Sequence, residues 1–484
     1  MKLSELLYDI SFLNKEKITE TDILGISCDS RTAREKMIFV AVATEKEERL
    51  AHIKEAKVKG VSVIVCFPED EEKALHTDNP RETYALLSGN WFGNPSGDLV
   101  LIGVTGTNGK TTTTHFIKAM LEGVSDAKVG LIGTNENMIG QRSLPSHRTT
   151  PDAFELQGLL REMVDENCTH VVMEVSSHAL AQYRCGGLAF AVGIFTNLTQ
   201  DHLDYHHSMT EYAKVKGRLF SQSEIAIFNL DDETGRNYCD LRRKEGKPFF
   251  SYSENKDYAS LYGENVTLHA NKVTFDCREK DNTIPVEVPV PGGFTLYNAL
   301  AALCCAYALQ IELSLAAMTF PVMSGVKGRV EVIPCPSPFT LLIDYAHTPN
   351  ALENILLTAQ NFTENRLICV FGCGGNRDRS KRAIMGEIAE DLADLVVVTS
   401  DNPRFEDPEE IIQDILQGMK KEATVICDRK EAICYALSQG KEGDVVLLAG
   451  KGHECYQEIC GQQYPMDERE IVAEYYRETL GISG

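Results

Sequence analysis

No stretch of the 484 residues approaches the roughly 18 uninterrupted apolar residues that a membrane-spanning helix needs. Met1-Lys2-Leu3-Ser4-Glu5 likewise lacks a basic head followed by an apolar block. A soluble, cytoplasmic protein is expected. Cys-x-x-Cys pairs are missing too: the 15 cysteines are scattered, and Cys304, Cys305 and Cys369 sit in apolar runs, so they read as reduced core thiols. The Val-Phe-Gly between Cys369 and Cys373 reads as a strand end rather than a metal-ligand spacing. Positive charge is scarce, with 48 Lys and Arg against 71 Asp and Glu and a formal net charge of −23. That balance disfavours a general grip on nucleic-acid backbones, and any anionic ligand has to be met by local arginines.

What is present is led by Val104-Thr105-Gly106-Thr107-Asn108-Gly109-Lys110-Thr111-Thr112, set between the apolar run 99–104 and a helix-like stretch. A strand, a glycine loop and a helix in that order can hold a nucleotide phosphate. Glycine lets backbone N–H groups come close, and the helix N-terminus adds positive potential. Lys110 would reach the outer phosphates and the Thr111 hydroxyl would ligate Mg²⁺. Val104 stands where the general phosphate-loop pattern has its first glycine, with Gly103 displaced by one. An ordinary glycine turn is the weaker reading, because Gly-Lys-Thr opening a helix after a strand is a demanding context. The chain reads as an ATP user.

At 43% hydrophobic and 25% charged, the chain can build several cores. Strand-like runs at 38–42 and 61–65 precede the turn-rich Trp91-Phe92-Gly93-Asn94-Pro95-Ser96-Gly97, so residues 1–97 read as a small α/β domain. Over 98–330, apolar strands at 128–132, 170–175, 188–194 and 225–229 alternate with helices, one of them at 151–167. Such alternation predicts a mostly parallel sheet covered on both faces. Residues 331–484 repeat the pattern, with strands at 341–344, 367–371, 395–399 and 445–449. Ligands gather at the carboxyl ends of such strands, and these end in Asp-Tyr-Ala-His, Gly-Cys-Gly-Gly-Asn-Arg-Asp, Ser-Asp-Asn-Pro-Arg and Gly-Lys-Gly-His-Glu. Four polar strand ends predict a site.

Glu174 lies at the end of strand 170–175, before Ser176-Ser177-His178, and Asp201-His202 follows Thr196-Asn197-Leu198-Thr199-Gln200. A carboxylate and an imidazole at two strand ends can share one ion. Mg²⁺ prefers oxygen and keeps several waters, so a carboxylate with ATP phosphates is the expected set, and a histidine would be unusual. A helix cap built by Asp201 and His202 explains the second group as well, and the residue types leave both readings open.

Together these segments resemble the Mur ligases of peptidoglycan synthesis. The resemblance spans essentially the whole chain. It rests on residues 105–112, Met173-Glu174-Val175-Ser176-Ser177-His178, Thr196-Asn197-Leu198 with Asp201-His202-Leu203-Asp204, Tyr297-Asn298, Gly328-Arg329-Val330-Glu331, Asp344-Tyr345-Ala346-His347-Thr348-Pro349 and Asp401-Asn402-Pro403-Arg404, in the family's order. It implies an α/β protein of three domains: 1–97 for a UDP sugar, 98–330 for ATP on a phosphate-loop ATPase-like, mostly parallel sheet, and a Rossmann-like 331–484 for an incoming amino acid. The implied reaction joins the third amino acid to UDP-N-acetylmuramoyl-L-alanyl-D-glutamate through an acyl phosphate, forming ADP and phosphate. Small molecules are then the only substrates, nucleic acid and membrane insertion are excluded, and a monomer is expected.

The same resemblance matches Gly106, Thr107, Asn108, Gly109, Lys110, Thr111, Thr112, Asn298, Arg329 and Asp344 to ATP, and Lys110, Glu174, His202 and Lys216 to catalysis. It implies two Mg²⁺ ions, one at Thr111 and Glu174, the other at His202 and a carbamylated Lys216. Only a neutral amine reacts with CO₂, so Lys216 has to be buried, and Lys214 two residues away is the control. Cys28 and Ser30 are matched to uridine. Thr149, Thr150, Ser176, Gln182 and Arg184 are matched to the diphosphate, sugar and peptide. Three departures from the family's pattern are Glu45-Lys46-Glu47-Glu48-Arg49 where relatives tend to have Asp-Gly, Thr295 where they have Asn, and Asn376 where they have Asp.

Asp401-Asn402-Pro403-Arg404 lies between strand 395–399 and a helix start that carries Asp407, Pro408 at the first position and Glu410 to complete a capping box. A loop fixed at both ends can aim an arginine. meso-Diaminopimelate differs from lysine by a distal carboxylate, which a guanidinium meets as a bidentate fork. Family members with this Asn-Pro-Arg resemble the diaminopimelate-adding enzymes, and lysine-adding ones lack the arginine. Arg377, Gly450 and Glu454 are matched to the same pocket, with Glu454 suited to the distal ammonium. The rival readings are the lysine-adding enzyme, a folylpolyglutamate-synthase-like ligase, a phosphate-loop switch that hydrolyses ATP to change shape, and a non-catalytic paralogue.

Overall fold

Short apolar runs near the N-terminus pair into a parallel four-stranded sheet, β1 (Gly25–Ser27), β2 (Met37–Val40), β3 (Val63–Cys66) and β4 (Leu75–His76), in that order. This is a computed structural model, which describes residues 1–14, 20–125, 127–254, 256–269, 271–323 and 325–480, and neither the Asp204 nor the Leu480 side chain. The chain divides into two units, Met1–Ser260 with Ala301–Ala316, and Leu261–Leu300 with Ala317–Gly484.

The first unit continues with β5 (Val100–Thr105), β6 (Val129–Ile132), the hairpin β7 (Asn137–Ile139) and β8 (Arg142–Leu144), then β9 (His170–Glu174), β10 (Phe190–Phe195), β11 (Ser223–Asn229) and β12 (Phe249–Ser253). These lie in the order β12-β11-β10-β5-β9-β6-β7-β8, parallel except for the hairpin. Both faces of the parallel strands are buried, which is why they read as unbroken apolar runs: Ile102, Val104, Val172, Met173, Val192 and Ile194 have no exposed surface. Register does the positioning. Glu174 lies opposite Val104, and Phe195 opposite Thr105, so the ends of β9 and β10 flank the loop that follows β5. The helix expected at 151–167 runs Ala153–Asp165, because the Asp152 carboxylate accepts the Phe154 and Glu155 N–H groups and starts it there.

The second unit opens with an antiparallel meander, β13 (Leu261–Leu268), β14 (Val273–Glu279) and β15 (Asn282–Val288). The alternation of strands and helices expected over 98–330 did not include it. Its signal is a period of two, since Val273, Phe275 and Cys277 are buried while Thr274, Asp276 and Arg278 between them are less so. A six-stranded sheet follows, ordered β16-β17-β21-β18-β19-β20 from β16 (Glu331–Val332), β17 (Thr340–Asp344), β18 (Leu367–Phe371), β19 (Leu395–Val398), β20 (Thr424–Val425) and β21 (Val445–Ala449). Only β16 runs antiparallel to its neighbour. Alternate residues feed two cores, Leu342, Leu447, Cys369 and Val398 on one face, Ile343, Leu448, Val370 and Val397 on the other. A hairpin, β22 (Tyr456–Ile459) and β23 (Gln462–Pro465), lies beyond β21.

The helix after residue 404 is Pro408–Leu416, with Pro408 at its first position and Asp407 as its cap. Its cap bond goes to the Glu409 N–H, so the capping box expected from Glu410 gives way to the Asp407 carboxylate acting at shorter range. Burial pushes the Cys369 and Cys373 thiols up to about 12, and Cys373 packs on Met385, which fits core thiols. Among the described residues no helix is long and apolar enough to cross a membrane.

Candidate functional site

The loop after β5 is shaped by what surrounds it. A Cβ on Gly106 would lie 1.8 Å from Thr196 Oγ1, so only glycine fits, and Gly109 has φ +83°, a left-handed turn that leads into the helix Lys110–Val124. The segment after β10 grips the loop from the side. Asn197 O accepts the Thr107 N–H, Asn197 Oδ1 accepts the Asn108 N–H, and Thr196 Oγ1 donates to Asn108 O at 2.7 Å. Lys110 Nζ folds back to donate to the Gly106 and Thr107 carbonyls at 3.0 and 2.8 Å. Thr112 is buried in the first turn behind it.

Glu174 is the buried carboxyl group beside this loop, 1% exposed. Thr111 Oγ1 donates to its Oε2 at 3.0 Å, the Thr134 amide to Oε1 at 2.7 Å and the Thr134 hydroxyl to Oε2 at 3.1 Å. All three donors are neutral, and these oxygen-rich surroundings suit a hard divalent cation such as Mg²⁺. Among the described residues no three His, Cys, Asp or Glu gather as metal ligands, so any cation here rests on Glu174, a hydroxyl and substrate oxygens. Thr134 was missed by sequence reasoning; its place, two residues past the end of β6, is the signal that could have found it.

Lys216 and Lys214 part company as the helix Met209–Ser221 turns. Lys214 is 72% exposed and faces Glu211, whereas Lys216 is buried, with Nζ donating to Gly106 O at 2.7 Å and lying 4.6 Å from the Tyr212 ring centre. Burial first, and the Lys110 charge second, hold the Lys216 amine well below the ordinary lysine pKa, with Asp201 opposing. His202 adopts φ +52° at the start of the short helix Leu203–His206, its Nε2 3.4 Å from Asp201 Oδ2 and its ring 4.9 Å from His178. Its side chain makes no cap bond there, so the capping reading of His202 fails; Asp201 instead accepts the His202 N–H.

A connected polar run leads away from Glu174. Thr134 Oγ1 donates to Thr149 Oγ1, and Thr150 Oγ1 donates to Glu174 O and accepts the Ser176 N–H. Arg184 donates to Thr150 O and to Gln182 Oε1. Thr149, Thr150, Ser176, Gln182 and Arg184 are thus joined by hydrogen bonds. Cys28 and Ser30 follow β1: burial raises the Cys28 thiol, and Ser30 Oγ donates to Glu55 at 2.7 Å. The departure at 45–49 has a structural role, because Arg49 is buried, pairs with Asp70 at 2.6 Å and donates to Thr44 O, fixing the turn that opens the helix Lys46–Val58.

In the second unit the ends of β17, β18, β19 and β21 converge. Asp344, buried, accepts the Val330 and Ala346 N–H groups, and burial raises its pKa against the pull of Arg329. Arg329 lies over the Tyr345 ring. A Cβ on Gly372 would lie 2.3 Å from Thr399 O and one on Gly375 1.9 Å from Pro403 O, so these glycines let the loop after β18 lie flat on the 401–404 turn. A Cβ on Gly450 would lie 2.9 Å from Asp401 Oδ2, an oxygen with no hydrogen-bond partner. Asn402 Nδ2 donates to Glu454 Oε2 at 2.9 Å, and the fully buried Lys451 donates to both Asn402 Oδ1 and Glu454 Oε2 at 2.8 and 2.7 Å.

Arg404, at φ +53°, donates Nε to Glu458 at 3.0 Å and Nη1 to Gly375 O at 2.9 Å. Arg404 and Arg377 both come close to Gly374. Lys451 and Glu458 went unread in the sequence. Asn376 suits its place better than Asp would: it has φ +52°, its amide oxygen takes the Phe405 N–H, and its own N–H donates to the Glu406 carboxylate, beside which a second charge would repel. Thr295, also buried, donates to Pro291 O, and Asn298 lies on the same helix.

The family of the Mur ligase middle domain matches residues 104–306, and that of the Mur ligase, glutamate ligase domain, residues 328–452. The chain is 41% identical to UDP-N-acetylmuramoyl-L-alanyl-D-glutamate--2,6-diaminopimelate ligase 1 of Clostridium acetobutylicum, over 99% of this chain and 100% of that protein. It is also 41% identical to the ligase of the same name from Caldanaerobacter subterraneus subsp. tengcongensis, with the same coverage. A solved structure of a UDP-N-acetylmuramoyl-L-alanyl-D-glutamate--2,6-diaminopimelate ligase superposes with a TM-score of 0.73 at 31% identity, covering 97% of this chain and 99% of that one. With both domain matches, full-length relatives and a shared fold in agreement, the chain belongs to the Mur ligase family.

Proposed function

We propose that this protein is the ATP-dependent ligase that adds meso-diaminopimelate to UDP-N-acetylmuramoyl-L-alanyl-D-glutamate, acting in the cytoplasm as a monomer on small-molecule substrates alone. In this reading residues 1–97 bind the UDP sugar, 98–330 ATP and 331–484 the amino acid. The carrying observation for the amino acid is the 402–404 turn, where a guanidinium and a carboxylate, Arg404 and Glu454, are both held in place by buried partners. Arg404 meets the distal carboxylate, Glu454 the distal ammonium, and lysine would bring no carboxylate for the guanidinium hydrogens that Glu458 and Gly375 leave over.

The substrate carboxylate attacks the γ-phosphate of ATP and ADP leaves. The amine of the incoming amino acid then attacks the acyl phosphate and releases phosphate. Both steps gather negative charge, so the protein's work is positioning and neutralisation. Lys110 exchanges the Gly106 and Thr107 carbonyls for outer phosphate oxygens. Thr111 and Glu174 would hold one Mg²⁺, and His202 with a carbamylated Lys216 a second; such ions would supply positive charge to neutralise the phosphate oxygens. The burial of Lys216 supports carbamylation, because it supplies the neutral amine that CO₂ requires.

Phosphate release from ATP in the presence of the UDP-dipeptide tests the proposal, with meso-diaminopimelate or L-lysine added in parallel. Release with diaminopimelate alone is expected. Equal stimulation by lysine keeps the ligase and overturns the role of Arg404; release that ignores both amines overturns the ligase and leaves a phosphate-loop switch.

A further inference from the structure

Among the 15 cysteines only Cys455 and Cys460 are exposed. Cys455 differs from the rest in its company. Lys327 Nζ donates to its Sγ at 3.2 Å, Sγ donates to Asp467 Oδ2 at 3.2 Å, and Nζ lies 3.4 Å from that same oxygen. Asp467 is a firm anion, held down to about 2 against burial by the Arg469 amide, the Cys455 thiol and the Arg469 guanidinium. The backbone under this cluster is tight. Gly328 has φ +69°, and a Cβ on it would lie 2.2 Å from His453 N, so the 327–328 chain is pressed against the 452–453 turn. The thiol and the amine therefore meet without backbone movement.

From this geometry we propose that Lys327 and Cys455 form a reversible nitrogen–sulfur crosslink when the protein meets a peroxide. Cys455 is exposed to peroxide, which oxidises a cysteine through its thiolate. The thiolate sulfur attacks one peroxide oxygen, breaking the O–O bond, and gives Cys455 sulfenic acid and hydroxide, which takes a proton from the Lys327 ammonium and leaves as water. The neutral Lys327 amine then attacks that sulfur. The S–N bond forms, the S–O bond breaks, the nitrogen loses a proton and a second water leaves. In sum one amine, one thiol and one hydrogen peroxide become one sulfenamide and two waters; sulfur is oxidised by two electrons and peroxide is reduced by two. Excess dithiol reverses it by attack on the sulfur. Disulfide capture by Cys460 is ruled out sterically: it lies five positions on along the extended β22, about 16 Å away, against a Cα separation of at most about 7 Å for a disulfide.

The crosslink ties the residue before Gly328-Arg329 to the residue after Glu454, so oxidation would lock two segments of the second unit together. The test is peptide mapping by mass spectrometry of the full-length protein after stoichiometric hydrogen peroxide, in wild type, Lys327→Arg, Cys455→Ser and Cys460→Ser. The expected result is a peptide pair carrying Lys327 and Cys455, lighter by two hydrogens, lost on dithiothreitol treatment, absent from the first two variants and present in the third. Cys455 recovered as sulfenic or sulfinic acid with Lys327 unmodified would overturn the proposal. So would an oxidised product that is unchanged in Lys327→Arg. Circular dichroism of both variants shows that each is folded, and the readout needs no ligase activity.

Discussion

Glu458 Oε2 accepts a hydrogen bond from Arg404 Nε at 3.0 Å, so the guanidinium proposed to select the amino acid is already half neutralised within its own fold. Backbone pairing reinforces this: Arg404 N–H donates to Glu458 O, and the Glu458 N–H donates to Asn402 Oδ1. Removing Arg404 therefore does two things. In the proposed function it takes away the partner of the distal carboxylate, and it leaves Glu458 without its ion pair.

Arg404→Ala is expected to lower kcat/KM for meso-diaminopimelate by about 2–4 kcal/mol, roughly 30- to 1,000-fold, through the orphaned charge as much as the lost bond. The double variant Arg404→Ala/Glu458→Ala should recover part of that loss. A double-mutant cycle on initial rates measures it. Strict additivity would mean that Glu458 does not sense the substrate.

Thr134 offers a second handle. Its hydroxyl donates to Glu174 Oε2, and its amide to Oε1, so Thr134→Val keeps the shape and the amide bond and removes one donor from a buried carboxylate. A hydrogen bond to a charged group contributes about 1.5–3 kcal/mol. The expected outcome is a fall in kcat of roughly 10- to 150-fold with a raised Mg²⁺ requirement. Rates titrated against Mg²⁺ check it, and an unchanged Mg²⁺ dependence would separate Glu174 from the cation.

How much of this was legible in the sequence depends on whether a residue's partner is local. The phosphate loop, β9 and the four strand ends of the second unit follow from apolar runs and the residues next to them, and their register then places Glu174 beside Val104. Asp407 and Asp152 announce helix starts because their partners lie two or three positions on. Arg429 carries no such signal: it is buried against Glu468, 39 residues away, and donates to the Ser400 and Ala449 carbonyls, tying the ends of β19 and β21. Lys451, Glu458 and Thr134 belong to the same class, since their roles arise from loops that meet only in the fold. The β13–β15 meander went unread for another reason. Its period of two is interrupted by a register shift between Glu264 and Thr267, which blurs the alternation.

Lys216 is expected to be irreplaceable by arginine. A guanidinium stays charged, and the site holds a lysine whose amine is pushed toward neutrality by burial and by Lys110. Lys216→Arg should lose about 10²- to 10³-fold in kcat, the loss typical of an electrostatic stabiliser, while Lys214→Arg stays at wild-type rates. Carbon-13 NMR of protein equilibrated with labelled bicarbonate checks the chemistry directly. A carbamate resonance in wild type that persists in Lys216→Arg would place the modification on another lysine.

His453 sets an acid limit on stability. Burial first, and the charges of Arg329 and Lys327 after it, lower its pKa to about 4, against the opposing pull of Glu454. An unperturbed histidine titrates near about 6.5. Between those values the unfolded chain binds the proton and the folded chain does not, so stability rises with pH across the window and is lost as pH falls from about 6.5 to 4. His170 and His347 are lowered by burial too and add to the same slope, whereas Glu406, held at about 2 by Arg382, acts below it. Thermal midpoints of wild type and His453→Gln, compared at intervals from pH 7 to 4, should converge as the pH falls, because the variant has no buried imidazole to charge. Parallel curves would show that His453 takes up its proton without cost in the folded protein, and that the acid sensitivity comes from other groups, His170 and His347 among them.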